Sequence, residues 1–199
     1  MDASIKEKIV KASSEFKTIN KSLVSSYQDG YIGKNVYEVT LACGSCRKVE
    51  QITKRGSAGD AVVIIPITIE GNVVMVVQSR PNTKETVCIE LPAGMVDDGE
   101  DFQTAAVREM LEETGYVAET VYELEWHYQD QGCSEAVIKT FVASNCKRVQ
   151  EKQLSSDEAL EYVEIPFEDI LNMIKTREIN DANTKIAIME YILKQKELL

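Results

Sequence analysis

Three glutamates crowd the end of one segment whose apolar residues recur at helical spacing. They are Glu109, Glu112 and Glu113, and the expected helix runs from Phe102 to Thr114. Carboxylates three and four residues apart on a helix repel one another, and carboxylates in the last turn face the negative end of the helix dipole. A bound divalent cation would offset both costs, since Mg²⁺ prefers oxygen ligands. The pattern therefore predicts a metal site, with a solvated acidic face as the alternative.

The acidity of the chain is concentrated around this helix. The 199 residues carry a formal net charge of −11, whereas residues 85–135 contain fourteen acidic residues and one basic residue, Arg108, for a charge of −13. An arginine side chain is a rigid fork of donors that can brace carboxylates. We therefore expect Arg108 to orient Glu112, Glu100 or both, rather than to contact a substrate.

The segments around this helix predict an α+β fold. Residues 61–69 are a β-branched run, typical of a strand buried on both faces. Residues 4–27 are polar and weakly helical, and residues 31–55 alternate like antiparallel strands. The other expected strands are 73–78, 121–127, 136–143 and 160–165, and the other expected helices are 167–176 and 182–198. Interleaved strands and helices indicate a sheet between helical layers.

Composition narrows the possible functions. With 44% hydrophobic and 28% charged residues, the chain is ordinary for one globular domain with an appended arm. A pI near 4.7 argues against nucleic acid as a partner. The longest apolar run, residues 61–67, is too short to span a membrane. The N-terminus has no signal-peptide pattern, so we expect a cytoplasmic location.

The cysteines do not indicate a disulfide framework or a metal site. There are five of them, and only Cys43 and Cys46 form a CxxC pair. A zinc site would need further ligands, but the chain has no second CxxC and one histidine, His127. Gly44 and Ser45 between two strand-like segments instead predict a hairpin turn with free thiols.

Residues 94–115 match a known motif at every fixed position. The pattern Gly94-x5-Glu100-x7-Arg108-Glu109-Met110-x-Glu112-Glu113-x-Gly115 resembles the Nudix box, with Tyr116 at the final apolar position. The resemblance implies a Nudix hydrolase with an α/β/α sandwich and a mixed β-sheet. It also implies that Gly94, Glu100 and Gly115 are structural.

Further segments resemble the ADP-ribose pyrophosphatase branch of that family. They are Ala58–Pro66, Val77–Arg80, Glu90–Gly94 and Ile179–Ala182. The resemblance implies hydrolysis of ADP-ribose, or a related nucleoside-diphosphate sugar, to AMP and a sugar phosphate with Mg²⁺, which Mn²⁺ can replace. It also implies a homodimer built through an N-terminal antiparallel β-arm, here residues 31–55. We expect an N-terminal helix and arm over residues 1–57 and the hydrolase domain over 58–199.

The resemblance also suggests roles for individual residues. The expected metal ligands are the Ala93 carbonyl, Glu109, Glu112, Glu113 and Glu158. The expected catalytic residues are Glu158, Glu112 and Arg108, with Glu158 in an acidic loop as the base. The expected substrate-binding residues are Arg55, Arg80, Glu90, Ser134 and Glu135. The branch usually has a proline just before Ser134, where this chain has Asp130-Gln131-Gly132.

Two other functions are compatible with the box. One is a nucleoside triphosphate pyrophosphohydrolase, although such proteins tend to be shorter and to lack the arm. The other is a non-catalytic nucleotide-binding module on the same fold, which the loss of a box carboxylate would favour. Every box carboxylate is present here.

Overall fold

Residues 2–55, 57–154 and 159–197 are described by a computed structural model. The chain divides into two units. The first consists of Met1–Gly59 with Tyr128–Ala136, and the second of Asp60–His127 with Val137–Leu199. No helix within the described residues is long and apolar enough to cross a membrane.

The first unit is a helix followed by an antiparallel sheet. Its elements are α1 (Ala3–Phe16), β1 (Thr18–Gln28), β2 (Ile32–Leu41) and β3 (Cys46–Lys54). The strands lie in the order β1-β2-β3, which confirms the antiparallel strands expected over residues 31–55. The expectation of weak helix over residues 4–27 is correct for α1 but wrong for β1. Pairing along β2 overrides weak helical periodicity there, because strand formation depends on cross-strand neighbours.

The CxxC pair lies at the turn between β2 and β3. The Gly44 amide donates to the Leu41 carbonyl at 2.9 Å, and the Leu41 amide donates to the backbone carbonyl of Ser45 at 2.9 Å. Gly44 has φ of +85°, a left-handed conformation that glycine adopts without steric cost. Cys43 and Cys46 are exposed free thiols, so the predicted hairpin turn is confirmed.

Among its described residues, the second unit has an eight-stranded sheet and three helices. Its strands are β4 (Ala61–Thr68), β5 (Asn72–Arg80), β6 (Thr86–Glu90), β7 (Ala93–Met95), β8 (Tyr116–Val117), β9 (Thr120–Tyr128), β10 (Val137–Arg148) and β11 (Leu160–Pro166). Its helices are α2 (Phe102–Thr114), α3 (Phe167–Thr176) and α4 (Ala182–Gln195). The central order is β11-β5-β4-β10-β8, with β6 on β5, β7 on β4 and β9 on β10. β4 and β10 are parallel and β4 and β5 antiparallel, so the sheet is mixed.

Helices cover both faces of this sheet. On one face, Val62 and Ile64 of β4 pack with Met110 of α2. On the other face, alternate β4 residues pack with Ile170 of α3 and Ile188 of α4. All of these side chains are buried, and the predicted α/β/α sandwich is confirmed. A strand covered on both faces has to be apolar throughout, which explains the β-branched run of residues 61–69.

The ends of α2 follow from its sequence. The Asp101 carboxylate caps the first turn by accepting from the Thr104 amide at 3.0 Å. Gly115 ends the helix in the left-handed conformation with φ of +75°. A Cβ at Gly115 would lie 2.1 Å from the Gln150 carbonyl oxygen, so no larger residue fits there. The predicted bounds of α2 are therefore confirmed, whereas α4 ends at Gln195, earlier than expected.

Candidate active site

The guanidinium of Arg108 lies among the carboxylates of the motif formed by residues 94–115. Its Nε and Nη2 atoms donate to the two carboxylate oxygens of Glu100 at 2.9 and 2.8 Å. Nη1 donates to Glu109 at 2.7 Å and to Glu112 at 3.2 Å, while Nη2 also reaches the Met95 carbonyl at 3.0 Å. The single guanidinium of Arg108 thus binds three carboxylates and the backbone of β7.

These contacts change the protonation equilibria of both partners. Hydrogen bonds to Glu100, and then to Glu109, raise the pKa of Arg108 above its already high ordinary value. The same hydrogen bonds from Arg108 hold the pKa of Glu100 below its usual range, helped by the Asp97 amide. The expected contacts of Arg108 with Glu100 and Glu112 are present. The contact with Glu109 was not expected, because adjacent residues on a helix point about 100° apart.

Glu113 points towards the sheet. It is only 5% exposed, and its Oε2 accepts from the Ala93 amide at 3.1 Å. Glu113 therefore lies on the packed side of α2 and not on a solvated acidic face. The antiparallel pairing of Ala93 with Val63 on β4 brings the β7 backbone beneath the last turn of α2. Glu113 thus joins the helix to the residue whose carbonyl was expected to bind metal.

Gly94 makes room for the carboxylate of Glu109. A Cβ at Gly94 would lie 2.0 Å from Cδ and 2.0 Å from Oε1 of Glu109. The side chain of Glu109 is 13% exposed, and Arg108 holds the same Oε1 atom at 2.7 Å. The first glycine of the motif is therefore needed for close approach of a carboxylate to the backbone.

Arg80 and Glu90 form an ion pair across β5 and β6. Arg80 donates from Nε at 2.9 Å and from Nη2 at 2.7 Å to the two oxygens of Glu90, and Gln78 donates to Glu90 at 3.1 Å. Glu90 is buried, whereas the Arg80 side chain is 44% exposed. The hydrogen bond to Glu90 raises the pKa of Arg80, and the charges of Asp181 and Glu113 act in the same direction. The structure thus brings Arg80 and Glu90 together, and their contact with a substrate stays a prediction.

The other expected substrate-binding residues, Arg55, Ser134 and Glu135, lie in the first unit. The guanidinium of Arg55 lies 5.6 Å from the centre of the Tyr31 ring. Glu135 lies 3.6 Å from the ammonium of Lys21.

The turn before Ser134 is organised by Asp130 in place of a proline. The Asp130 side chain accepts from the Gly132 amide at 2.9 Å. The backbone carbonyl of Asp130 accepts from the Ser134 amide at 2.7 Å. Short polar side chains commonly close turns in this way. Hydrogen bonds from Cys133 and Gly132 hold the pKa of Asp130 below its ordinary value, so its carboxylate remains the acceptor.

Glu158, the expected base and metal ligand, lies outside the described residues. Within residues 2–55, 57–154 and 159–197, no three His, Cys, Asp or Glu side chains are placed to hold a metal ion together. The donors on α2 nevertheless suit a hard divalent cation, since three carboxylates and a nearby backbone carbonyl supply only oxygen atoms. The close approach of Glu109 to Gly94 also brings a carboxylate against the backbone that carries this carbonyl.

Comparison with known proteins identifies the family. The model of the NUDIX domain matches residues 58–185, and the chain belongs to this family. The resemblance to the ADP-ribose pyrophosphatase-like branch is supported by relatives of similar length. The ADP-ribose pyrophosphatase of Bacillus subtilis (strain 168) is 34% identical over 182 residues, which are 91% of this chain and 95% of that protein. The methanol dehydrogenase activator of Bacillus methanolicus is 33% identical over 186 residues, 92% of this chain and 96% of that protein.

A solved structure confirms the fold. The crystal structure of an ADP compounds hydrolase superposes with a TM-score of 0.74, covering 93% of this chain and 97% of that chain. Its sequence identity is 19%, so this likeness concerns the fold alone. Nudix hydrolases generally use divalent metal ions, and the carboxylates of α2 are donors of that kind.

Proposed function

We propose that this protein hydrolyses the diphosphate bond of ADP-ribose, or of a related nucleoside-diphosphate sugar, to give AMP and a sugar phosphate. The arrangement of Arg108 with Glu109 and Glu112 carries this proposal, because it gathers carboxylates beside the backbone of β7. The relative from Bacillus subtilis, which is an ADP-ribose pyrophosphatase, supports the choice of substrate.

We propose Mg²⁺ as the metal, with Mn²⁺ able to replace it. The residues that would hold it are the Ala93 carbonyl, Glu109, Glu112, Glu113 and Glu158. When bound, the ion would neutralise phosphate charge and increase the acidity of a coordinated water. The side chain of Glu112 is 42% exposed, more than that of Glu109, so it is the more accessible of the two carboxylates held by Nη1 of Arg108.

The protein's own side chains have distinct tasks in this proposal. Arg108 orients the carboxylates of Glu109 and Glu112. Arg80, held by Glu90, presents the exposed part of its guanidinium to a phosphate. Arg55, Ser134 and Glu135, which lie in the first unit, are further substrate-binding residues in this proposal. Glu158 accepts the proton of the attacking water, and the bridging oxygen leaves with one of the two phosphates.

A substrate panel tests the proposal directly. The purified protein is incubated with Mg²⁺ and ADP-ribose, a second ADP-sugar, GDP-mannose or dATP, and the products are separated by chromatography. We expect AMP and ribose 5-phosphate from ADP-ribose. Pyrophosphate from dATP, with no reaction of the sugar nucleotides, would instead support the triphosphate pyrophosphohydrolase. Nucleotide binding without turnover of any of these compounds would support the non-catalytic module.

Replacement of a carboxylate by a neutral amide tests the metal site. In Glu113→Gln, the amide keeps an acceptor for the Ala93 amide but loses the charge, so kcat should fall by orders of magnitude while the fold is retained. Glu70→Gln is the matched control, because Glu70 is exposed in the turn between β4 and β5. Turnover of Glu113→Gln equal to that of Glu70→Gln would remove Glu113 from the metal site.

We also propose that the protein is a homodimer formed through residues 31–55. Tyr31, Ile32 and Ile52 in this segment are 46%, 51% and 37% exposed. Exposed apolar side chains within one segment favour its burial against a partner chain. Ile32→Lys should shift the mass measured by light scattering to that of the monomer. Ile69→Lys is the control, since Ile69 is 70% exposed in the second unit, and equal masses for both variants would contradict the proposed interface.

The remaining proposals concern location and partners. We propose a cytoplasmic location, and we propose a small nucleotide as the ligand rather than a nucleic acid, because a net charge of −11 disfavours binding to a phosphate backbone. Cell fractionation with an antibody against the protein tests the location, and recovery of the protein in the membrane fraction would contradict it.

A further inference from the structure

The backbone that leaves β6 and enters β7, residues 91–94, contacts other elements at four consecutive residues. The Leu91 amide donates to Oγ1 of Thr184 at 2.9 Å. The Pro92 carbonyl accepts from the Ile64 amide at 3.0 Å, and the Ala93 amide donates to Glu113 at 3.1 Å. The fourth residue, Gly94, lies against the carboxylate of Glu109. The Leu91 contact is made by α4, the Pro92 contact by the central strand β4, and the Ala93 and Gly94 contacts by α2.

Thr184 is suited to hold this backbone. It is fully buried, and it lies in the first turn of α4, where its own amide donates to the carboxylate of the N-cap residue Asp181 at 2.6 Å. The cap fixes the helix start, and the β-branched side chain of threonine is stiff. The Leu91 amide has a partner 93 residues away along the chain in Thr184. Because Leu91 is also buried, loss of this acceptor would leave its N–H unpaired away from water.

The position of this hydrogen bond gives it a functional meaning. Leu91 directly follows Glu90, which holds Arg80, and it precedes Ala93 by two residues. A shift of the Leu91 backbone would therefore move the Arg80–Glu90 pair on one side and the Ala93 carbonyl on the other. Such displacements matter because catalytic and binding groups have to be held within about 0.5 Å of the positions that support reaction.

We infer that Thr184 is a positioning residue of the active site, acting through the Leu91 amide to align the Ala93 carbonyl with the carboxylates of α2. This inference rests on the proposed function, since it assigns a task within the same site. Thr184 itself contacts neither metal nor substrate in this account. Its hydroxyl is required as an acceptor, and its methyl group is not.

Three variants separate the hydroxyl from the packing. Thr184→Val keeps the shape and removes the acceptor, whereas Thr184→Ser keeps the acceptor and removes the methyl group. Thr140→Val is the matched control. Thr140 is also fully buried, and its hydroxyl oxygen has no partner in hydrogen-bond geometry among the described residues, although Glu190 lies nearby.

Two measurements are made on each full-length protein: the dissociation constant for Mn²⁺ alone by calorimetry, and kcat and KM for ADP-ribose with Mg²⁺. We expect Thr184→Val to weaken Mn²⁺ binding and to lower kcat, each by about 10-fold to 100-fold, as for other residues that support metal ligands. Thr184→Ser and Thr140→Val should each stay within about threefold of the wild type, a change well below the loss expected for Thr184→Val. Melting temperatures of all variants identify losses that come from unfolding alone.

The outcomes are distinct. The inference is wrong if Thr184→Val binds Mn²⁺ and turns over like Thr140→Val, or if Thr184→Ser loses as much as Thr184→Val. Should Thr184→Val fail to fold, Thr184→Ala and Thr184→Ser decide, because only serine retains the acceptor, and equal losses in these two would contradict the inference. If the wild-type protein binds Mn²⁺ but hydrolyses no sugar nucleotide, the proposed substrate fails, and the Mn²⁺ affinities still test Thr184.

Discussion

The carboxylate of Glu109 occupies the space that any side chain at Gly94 would need. A Cβ on Gly94 would approach Cδ of Glu109 to 2.0 Å, far inside van der Waals contact. Gly94 has no positive φ, so close approach, and not backbone conformation, is what requires glycine here. The two residues are separated by the loop and most of α2 in sequence, and their contact defines how that helix meets β7.

Gly94→Ala should therefore impair the site more than the fold. The new methyl group would displace the Glu109 carboxylate from the backbone of β7, and we expect Mn²⁺ affinity and kcat to fall by about 10-fold to 100-fold. Gly71→Ala is the control, because Gly71 has φ of +85° with open space around it. It should lower stability by about 1–2 kcal/mol, the cost of the left-handed conformation for an L-residue, without changing Mn²⁺ affinity, and a similar loss of affinity in both variants would contradict this explanation.

Arg108→Lys should lower kcat even though the charge is kept. A lysine ammonium cannot reproduce the paired contact with Glu100 together with the bonds to Glu109 and Glu112. We expect a loss of about 10-fold or more in kcat. Arg148→Lys is the control, since Arg148 pairs with the exposed Glu151 near the end of β10. Full activity in Arg108→Lys would show that charge alone suffices at this position.

Acid should destabilise the wild-type protein more steeply than Glu100→Gln. Arg108 holds the pKa of Glu100 below its ordinary value. Its carboxylate therefore contributes stability that is complete above the pKa in the unfolded chain and is lost as the pH falls through the lower folded pKa. Glutamine does not titrate, so the difference in free energy of unfolding between the two proteins should shrink from about pH 5 downward. Urea titrations between pH 6 and pH 3 measure this difference, and a constant difference would contradict it.

The buried thiol of Cys146 should be unreactive in the folded protein. Burial raises the pKa of Cys146 to about 11, so little thiolate is present at pH 8. Cys43 and Cys46 are exposed and should be alkylated by iodoacetamide within minutes to hours. Peptide mapping by mass spectrometry should find Cys146 labelled only after denaturant is added. Labelling of Cys146 as fast as Cys43 without denaturant would contradict its burial.

The sequence by itself determined the features that depend on near neighbours in the chain. The cap at Asp101 and the left-handed end at Gly115 set the bounds of α2, since capping bonds span only a few residues. The contact of Arg108 with Glu112 follows from the spacing of one helical turn. The apolar run of β4 likewise indicated a strand covered on both faces.

Only the tertiary structure decided which distant groups meet. Helical spacing could not show that Glu113 turns towards the Ala93 amide, because that contact depends on the pairing of β7 with β4. The strand β1 was mistaken for helix, since its pairing with β2 outweighs its local preference. The bond between Leu91 and Thr184 joins residues far apart in the chain. Such contacts depend on the order of the strands and on where the helices dock. They therefore have no short-range signal in the sequence.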